Sequence, residues 1–319
     1  MDERLLGTTG LRVSTLGLGT LTWGRDTDAH EAADLLRTFV DAGGTLVDTA
    51  ASYGAGGAEE LIGALLGDVV AREDVVLCSK GGIRTGRDGG VVDASRRTLL
   101  ANLDASLARL GTDHLDLWLV QAPDPATPVE ETVGALEHAV ASGRARYVGL
   151  SNHPAWQTAW AAALLPPATP LAAVEVEYSL LQRGVEREVV PAATALGAGV
   201  LAWSPLGRGV LTGKYRHHVP ADSRAASAHL AGFVAPYLGR DAAPVVEALA
   251  TAAAGLELPP LAVALAWVLG RPAVTSAIVG PRTVGQLREV LDVHLDLPAA
   301  IGAALDEVSA PTLGYPERR

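Results

Sequence analysis

Gly43-Gly44-Thr45-Leu46-Val47-Asp48-Thr49-Ala50-Ala51-Ser52-Tyr53-Gly54 is the stretch whose reading decides the fold. Its short run Thr45-Leu46-Val47 shows no polar alternation, as in a strand buried on both faces of a parallel sheet. The run ends in an acid, Asp48, and opens into a loop in which Tyr53 is followed by Gly54, Gly56 and Gly57. A second run, Val75-Val76-Leu77-Cys78, ends in Ser79-Lys80. Polar groups that terminate apolar strands can converge on one mouth. There a lysine ammonium lowers the pKa of a nearby tyrosine, and a carboxylate holds the lysine. Asp48 alone would pass for a strand cap and Lys80 alone for a surface charge. Together with Tyr53 they are the equipment of a proton donor.

Outward from these runs, short Val/Leu/Ile stretches alternate with longer helical patterns, and the alternation counts out to eight. Strands are expected near 16–18, 45–48, 74–79, 115–120, 147–150, 173–177, 200–203 and 275–279. Helices are expected near 28–42, 58–66, 93–110, 129–142, 154–164, 185–197, 259–269 and 283–292. This predicts an α/β protein, a (β/α)8 TIM barrel formed as a single domain over residues 1–319. In the 93–110 helix, Asp93 is placed to cap the start, Leu99, Leu103, Leu107 and Leu110 share a face, and Gly111 ends it. Arg4 to Val13 reads as a β-hairpin closing the barrel floor. Residues 204–240, rich in Gly, Arg, His, Ala and Ser, break the rhythm in the manner of a functional loop.

The residues at the ends of the eight strands are Gly19-Thr20, Asp48, Lys80, Gln121, Ser151-Asn152, Glu175, Trp203 and Gly280. Barrel enzymes build their sites on this C-terminal face. Trp23, after the first strand, is expected to wall a substrate pocket with Tyr53, Gln121 and His153. Arg208, Lys214, Arg216, Arg224 and Arg282 gather local positive charge in the C-terminal half.

Composition removes other classes. A formal net charge of −11 with no long basic tract argues against a nucleic-acid partner. Cys78 is the only cysteine and the histidines form no i, i+4 pair on a convincing helix, so neither disulfide nor metal is expected. Mean hydropathy is +0.23, yet no apolar run approaches the roughly 18 residues of a membrane span. The longest candidate, Leu261 to Leu269, reads as a buried helix. Met1-Asp2-Glu3-Arg4 leads into no apolar stretch, which fits a cytoplasmic enzyme rather than a secreted one. Gly17-Leu18-Gly19 and Gly207-Arg208-Gly209 do not complete a dinucleotide fingerprint, because Thr22 and Thr212 occupy the third place. The sequence leaves the oligomeric state open.

Taken in order, these segments resemble the aldo-keto reductase family, (β/α)8 oxidoreductases that use NADPH without a Rossmann fold, over nearly the whole chain. Asp48-Thr49-Ala50 with Tyr53-Gly54 is similar to the family's Asp-Thr-Ala-x-x-Tyr-Gly segment, and Ser79-Lys80 to its lysine after the third strand. Gly149-Leu150-Ser151-Asn152 resembles the segment whose Ser-Asn pair holds the nicotinamide carboxamide. Trp203-Ser204-Pro205-Leu206-Gly207, with Gly209 and Lys214, is similar to the stretch whose ring stacks on nicotinamide and whose loop wraps the pyrophosphate. Ile278-Val279-Gly280-Pro281-Arg282-Thr283, with Gln286 and Glu289, resembles the segment around the adenosine 2′-phosphate. Gly19, Thr20, Asp48 and Arg224 complete the expected cofactor contacts.

The resemblance implies reduction of an aldehyde or ketone by NADPH, yielding NADP+ and an alcohol. Tyr53 is then the general acid, Lys80 the cation that depresses its pKa, and Asp48 the group that orients Lys80. Two positions depart from the family. Gln121 stands where the family normally has His, and offers a hydrogen bond at fixed charge. Glu175 stands where the family usually has Gln, completing the carboxamide contacts in a more acidic site. Two rivals remain: a cofactor-sensing regulatory protein with slow turnover, resembling potassium-channel β subunits, and a Schiff-base aldolase using Lys80, which leaves the cofactor-like segments without a use.

Overall fold

Apolar runs bounded by helical stretches close on themselves when each strand pairs with the next in sequence, and that is the arrangement here. A computed structural model describes residues 1–86, 89–312 and 314. Its eight parallel barrel strands are Leu16–Gly19, Leu46–Asp48, Val76–Gly81, Leu115–Val120, Ala145–Ser151, Leu171–Glu177, Gly199–Trp203 and Val274–Val279. They follow one another around the barrel in chain order, and the eighth returns to the first through Ala277 opposite Leu16. All eight expected strands are present, with boundaries within two residues of the sequence reading.

The strand period of two divides the core into layers. Leu117 and Leu119 of the fourth strand point into the barrel with Leu46, Cys78, Ala173, Leu201 and Ile278. Trp118 and Val120 point outward into the larger core beneath the helices. The expected floor is formed by Glu3–Leu5 paired antiparallel with Arg12–Ser14. Leu6 and Val13 enter the interior layer from this hairpin. Arg4 donates to the carbonyls of Val274 and Leu269, at 2.7 and 2.9 Å, tying the floor to the eighth strand.

Some elements differ from the sequence reading. The helix expected from 93 runs Arg96–Leu110 with Ser95 as its N-cap. Asp93 instead accepts from the hydroxyls of Ser95 and Thr98 at 2.6 and 2.7 Å, and so buttresses the cap without being it. Ile83–Gly86 pairs with Gly89–Val92 as a small hairpin at the barrel mouth. Helices Ala243–Gly255 and Ala299–Val308 were not anticipated, since their alanine-rich sequences carry little apolar periodicity. The 204–240 stretch contains short turns, Gly207–Thr212, Arg224–Ala226 and Ala231–Val234. No single helix among the described residues is long and apolar enough to cross a membrane. The most apolar of them, Pro260–Leu269, is buried along Leu261 to Val268.

Small side chains let the strands approach each other. A Cβ on Gly149 would lie 2.4 Å from the Ala173 carbonyl oxygen and 2.6 Å from Leu119 Cδ2, with backbone on one side that cannot yield. Gly10, in the floor hairpin, has open space around it. Gly149→Ala is therefore expected to cost about 3 kcal/mol in urea unfolding, whereas Gly10→Ala should stay within about 0.5 kcal/mol of the parent.

Candidate active site

The second and third strands end side by side, and their last side chains meet inside the mouth. Lys80 Nζ donates to Asp48 Oδ1 at 2.6 Å, Asp48 Oδ2 at 2.7 Å and the Thr49 carbonyl at 3.0 Å. Glu175 Oε1, from the sixth strand, lies 3.3 Å from the same nitrogen. All three residues are at most 2% exposed. Burial disfavours the charge on Lys80, but Asp48 and Glu175 outweigh it and hold the ammonium well above its ordinary pKa.

Tyr53 reaches this group from the loop after the second strand. Ala51 N–H donates to the Lys80 carbonyl at 3.0 Å, which carries the strand pairing into the loop. Gly54, Ala55 and Gly56 then take positive φ, turning the chain into helix Gly57–Leu65. The half-buried phenol ring centres 5.3 Å from Lys80 Nζ. Burial pushes the Tyr53 phenol up from 10, Lys80 pulls it down, and Asp48 and Glu175 push it up again. The expected depression by Lys80 is present but outweighed, by burial first and then by the neighbouring acids, so Tyr53 keeps its proton.

A support unseen in the sequence reading fixes both strands. Glu59, 0% exposed on helix Gly57–Leu65, accepts from Ser79 Oγ at 2.5 Å and from Arg109 at 2.8 and 2.6 Å. It binds the residue before Lys80 to the helix that follows Tyr53. An acid on an otherwise apolar helix face, Ala58-Glu59 ahead of Ile62, was its only signal.

Glu175 has one carboxyl oxygen near Lys80, and its Oε2 is buried without a partner. Burial first, then Asp48, push this carboxyl up to about 8, with Lys80 opposing. Burial and Asp48 therefore favour the protonated form of Glu175, which makes the site less acidic than the Gln-to-Glu difference suggested. Gln121 accepts from Ser52 Oγ at 3.0 Å through Oε1, which leaves its amide N–H donors to the cavity. Asn152 holds φ +61 and donates to the Gln121 carbonyl and Ser151 Oγ, each at 3.0 Å. Its Oδ1 accepts from Trp203 Nε1 at 3.0 Å and so fixes the indole.

These groups line one end of a cavity of about 1000 Å³. Gly19, Thr20, Asp48, Tyr53, Lys80, Gln121, Ser151, Asn152 and Glu175 line it together with Trp203, Ser204, Leu206, Gly209, Lys214, Arg224, Gly280, Arg282, Gln286 and Glu289. Three expected residues stand outside that lining. Trp23 is fully buried, Gly207 is packed against Leu181, and His153 turns its Nδ1 to the Ser151 carbonyl at 2.8 Å. Burial pushes the His153 imidazole down, so it is neutral at pH 7. Phe233 lines the cavity unforeseen, stacked on Trp203 at 6.4 Å. Arg208 covers Phe233 at 4.1 Å while Glu177 grips its guanidinium at 2.7 and 2.6 Å.

The far end is cationic. Arg224 donates to the Gly280 carbonyl at 2.6 Å, Arg282 donates to the Asp222 carbonyl, and Lys214 lies close enough for both to act on it. Burial first, then its cationic neighbours, lower the pKa of Lys214, and burial with Arg282 does the same to Arg224. No ion pair among the described residues neutralises any of the three, which leaves positive charge free for an anion. A Cβ on Gly280 would come 3.1 Å from Arg224 Nη2, so that position is small where the guanidinium passes. Asp48, Cys78 and Glu175 also offer ligand atoms within 4.8 Å of one another. Lys80 already supplies the positive charge there, and burial holds the Cys78 thiol protonated, so the donor set does not fit a metal.

A closed eight-stranded barrel with this buried ion pair at its C-terminal mouth fits an oxidoreductase, and the comparison of sequences shows the family. The chain belongs to the aldo/keto reductase family, whose model matches residues 15–310. It is 36% identical over 320 residues to the uncharacterized oxidoreductase YrpG of Bacillus subtilis (strain 168), covering 97% of this chain and 96% of that one. A probable voltage-gated potassium channel subunit beta of Oryza sativa subsp. japonica is 35% identical, covering 100% and 98%. The aldo-keto reductase YhdN of Bacillus subtilis (strain 168) is 30% identical, covering 92% and 88%.

The carboxyl of Glu175 makes a stability prediction. Its folded value of about 8 exceeds the ordinary 4.5, so folding takes up a proton between those pH values. Stability contributed here is complete below the lower value and falls as pH rises through the upper one. Thermal midpoints of Glu175→Gln should gain on the parent steadily across that window, and parallel curves for the two proteins would refute the assignment.

Proposed function

We propose that the protein reduces an aldehyde or ketone to an alcohol with NADPH, with Tyr53 as the general acid. The observation that supports this most directly is one cavity with the Lys80–Asp48 pair and protonated Tyr53 at one end and unneutralised Lys214, Arg224 and Arg282 at the other. Bound NADPH supplies the hydride; the chain's own residues supply the rest. Lys214, Arg224 and Arg282 would hold the phosphates, Arg282 offering a guanidinium fork to the 2′-phosphate. Trp203, fixed by Asn152, and Ser151 with Glu175 would cradle the nicotinamide. The substrate oxygen lies within reach of the Tyr53 hydroxyl and the Gln121 amide in this reading, and both donate to it as negative charge develops. An alkoxide is far more basic than a phenolate, so the proton moves downhill even from a phenol with a raised pKa. Lys80 then stabilises the tyrosinate left behind.

A second reading is supported by the relatives named as potassium channel β subunits in Oryza sativa and, at 33% identity, Arabidopsis thaliana. In it the same site binds cofactor with slow turnover and reports its state to a partner. Simple aldehydes oxidising NADPH at ordinary enzymatic rates would set this reading aside.

Tyr53→Phe should lower carbonyl reduction by about 10²- to 10⁴-fold while NADPH binding, followed by fluorescence, stays within about threefold because no phosphate contact is touched. Arg282→Ala should remove most of an expected tenfold to hundredfold preference for NADPH over NADH; equal affinity for both cofactors in the parent would defeat the phosphate assignment. Gln121→His should add a second limb to the pH profile of reduction near the usual imidazole range of about 6 to 7, where the parent shows none.

A further inference from the structure

The ion group in the mouth has one more acid than it has cations. Two carboxyls, Asp48 and Glu175, face a single ammonium, all three residues at most 2% exposed. Asp48 takes both close contacts, 2.6 and 2.7 Å, while Glu175 has one at 3.3 Å and an oxygen with no partner. Ionising both would leave a net negative charge among nearly fully buried groups, so the proton belongs to the worse-placed acid. Glu175 faces the cavity and stands beside the group that must handle the substrate oxygen. A ring passing hydride to that substrate must lie at this end, since the phosphate-binding cations are at the other.

Resting on the proposed NADPH chemistry, we infer that Glu175 senses the charge of the nicotinamide: it keeps its proton beside the neutral reduced ring and releases it to solvent when the cationic oxidised ring binds. The positive ring supplies the counter-charge that Lys80, shared with Asp48, cannot. In balanced form, protonated protein and NADP+ give the carboxylate complex and one proton, whereas NADPH binds with no such release. The expected lowering of the carboxyl by the ring has a suitable starting point, because burial has already raised Glu175 to about 8. The groups facing it are Asp48 from the second strand, Cys78 and Lys80 from the third, and Tyr53 from the loop between them. Across the sheet it pairs with Ser151 and Leu201, neither ionisable, and two residues past Ser151 stands His153, whose imidazole burial pushes down. On its own strand Glu177 is committed to Arg208. The consequence is directional: alkaline pH tightens the oxidised cofactor and biases the protein toward alcohol oxidation, and lower pH favours reduction.

Calorimetric titrations of the full chain with NADP+ and with NADPH, in buffers of different ionisation enthalpy near pH 7.5, read the proton directly. Proton exchange by the 2′-phosphate is common to both cofactors and cancels in their difference. The inference expects release of a substantial fraction of a proton with NADP+ only, and an NADP+ dissociation constant that falls about tenfold from pH 6 to pH 9. Glu175→Gln should abolish both effects, with its circular-dichroism spectrum and cooperative thermal unfolding serving as the control for folding. Equal proton release for both cofactors, or release that survives in Glu175→Gln, overturns the inference while leaving the NADPH reading intact. Failure of the parent to bind either nucleotide overturns both.

Discussion

A lysine ammonium enclosed at the end of a barrel strand is the constraint on which the site depends. Removing such a charge from water costs several kcal/mol unless partners replace the lost solvation. Lys80 obtains them from Asp48, the Thr49 carbonyl and Glu175, on the second strand, the loop after it and the sixth strand. Those contacts fix the relative positions of three segments of the mouth to within a hydrogen bond. The geometry of Tyr53 follows, since its loop begins at the residue that Lys80 holds. The helix beyond is pinned by Glu59 to Ser79, one residue from the lysine.

From that group the cavity extends toward opposite charge. One end carries two acids around a single ammonium, and the other carries Lys214, Arg224 and Arg282, which form no ion pair among the described residues. Between them, the chain holds non-glycine residues in left-handed backbone: Asn152 at φ +61, Ser204 at +51 and Arg208 at +58. Each costs on the order of 1 kcal/mol, Asn152 and Ser204 directly after barrel strands and Arg208 in the turn Gly207–Thr212 that follows. Asn152 orients Trp203, and Arg208 spans Trp203, Phe233 and Tyr237 while bound to Glu177. The strain is located where the ligand-facing aromatic wall is assembled.

Much of this was legible because strand ends are legible. Asp48, Lys80, Gln121, Ser151, Glu175 and Trp203 could each be read as the polar or aromatic residue after an apolar run, and all six line the cavity. What the sequence concealed depends on tertiary approach. Trp23 follows the first strand in the right place to be a pocket wall, yet its loop folds it inward to 0% exposure. Phe233 and Tyr237 lie in a stretch with no periodicity, so nothing announced that they would stack with Trp203 and Arg208. Asp93 and Ser95 are both good caps, and only the register of helix Arg96–Leu110 decides between them. The protonation of Tyr53 and Glu175 was least accessible, because it depends on counting how many acids share one buried cation.

That count is open to direct measurement. Infrared difference spectra of the nucleotide-free protein between about pH 6 and about pH 10, compared with Glu175→Gln, report the protonation of this carboxyl through its C=O stretch. The account predicts a protonated-carboxyl band at the lower pH that is lost at the higher pH and absent from the variant. A parent protein that shows only ionised carboxylate at the lower pH, with no band assignable to Glu175, would contradict it.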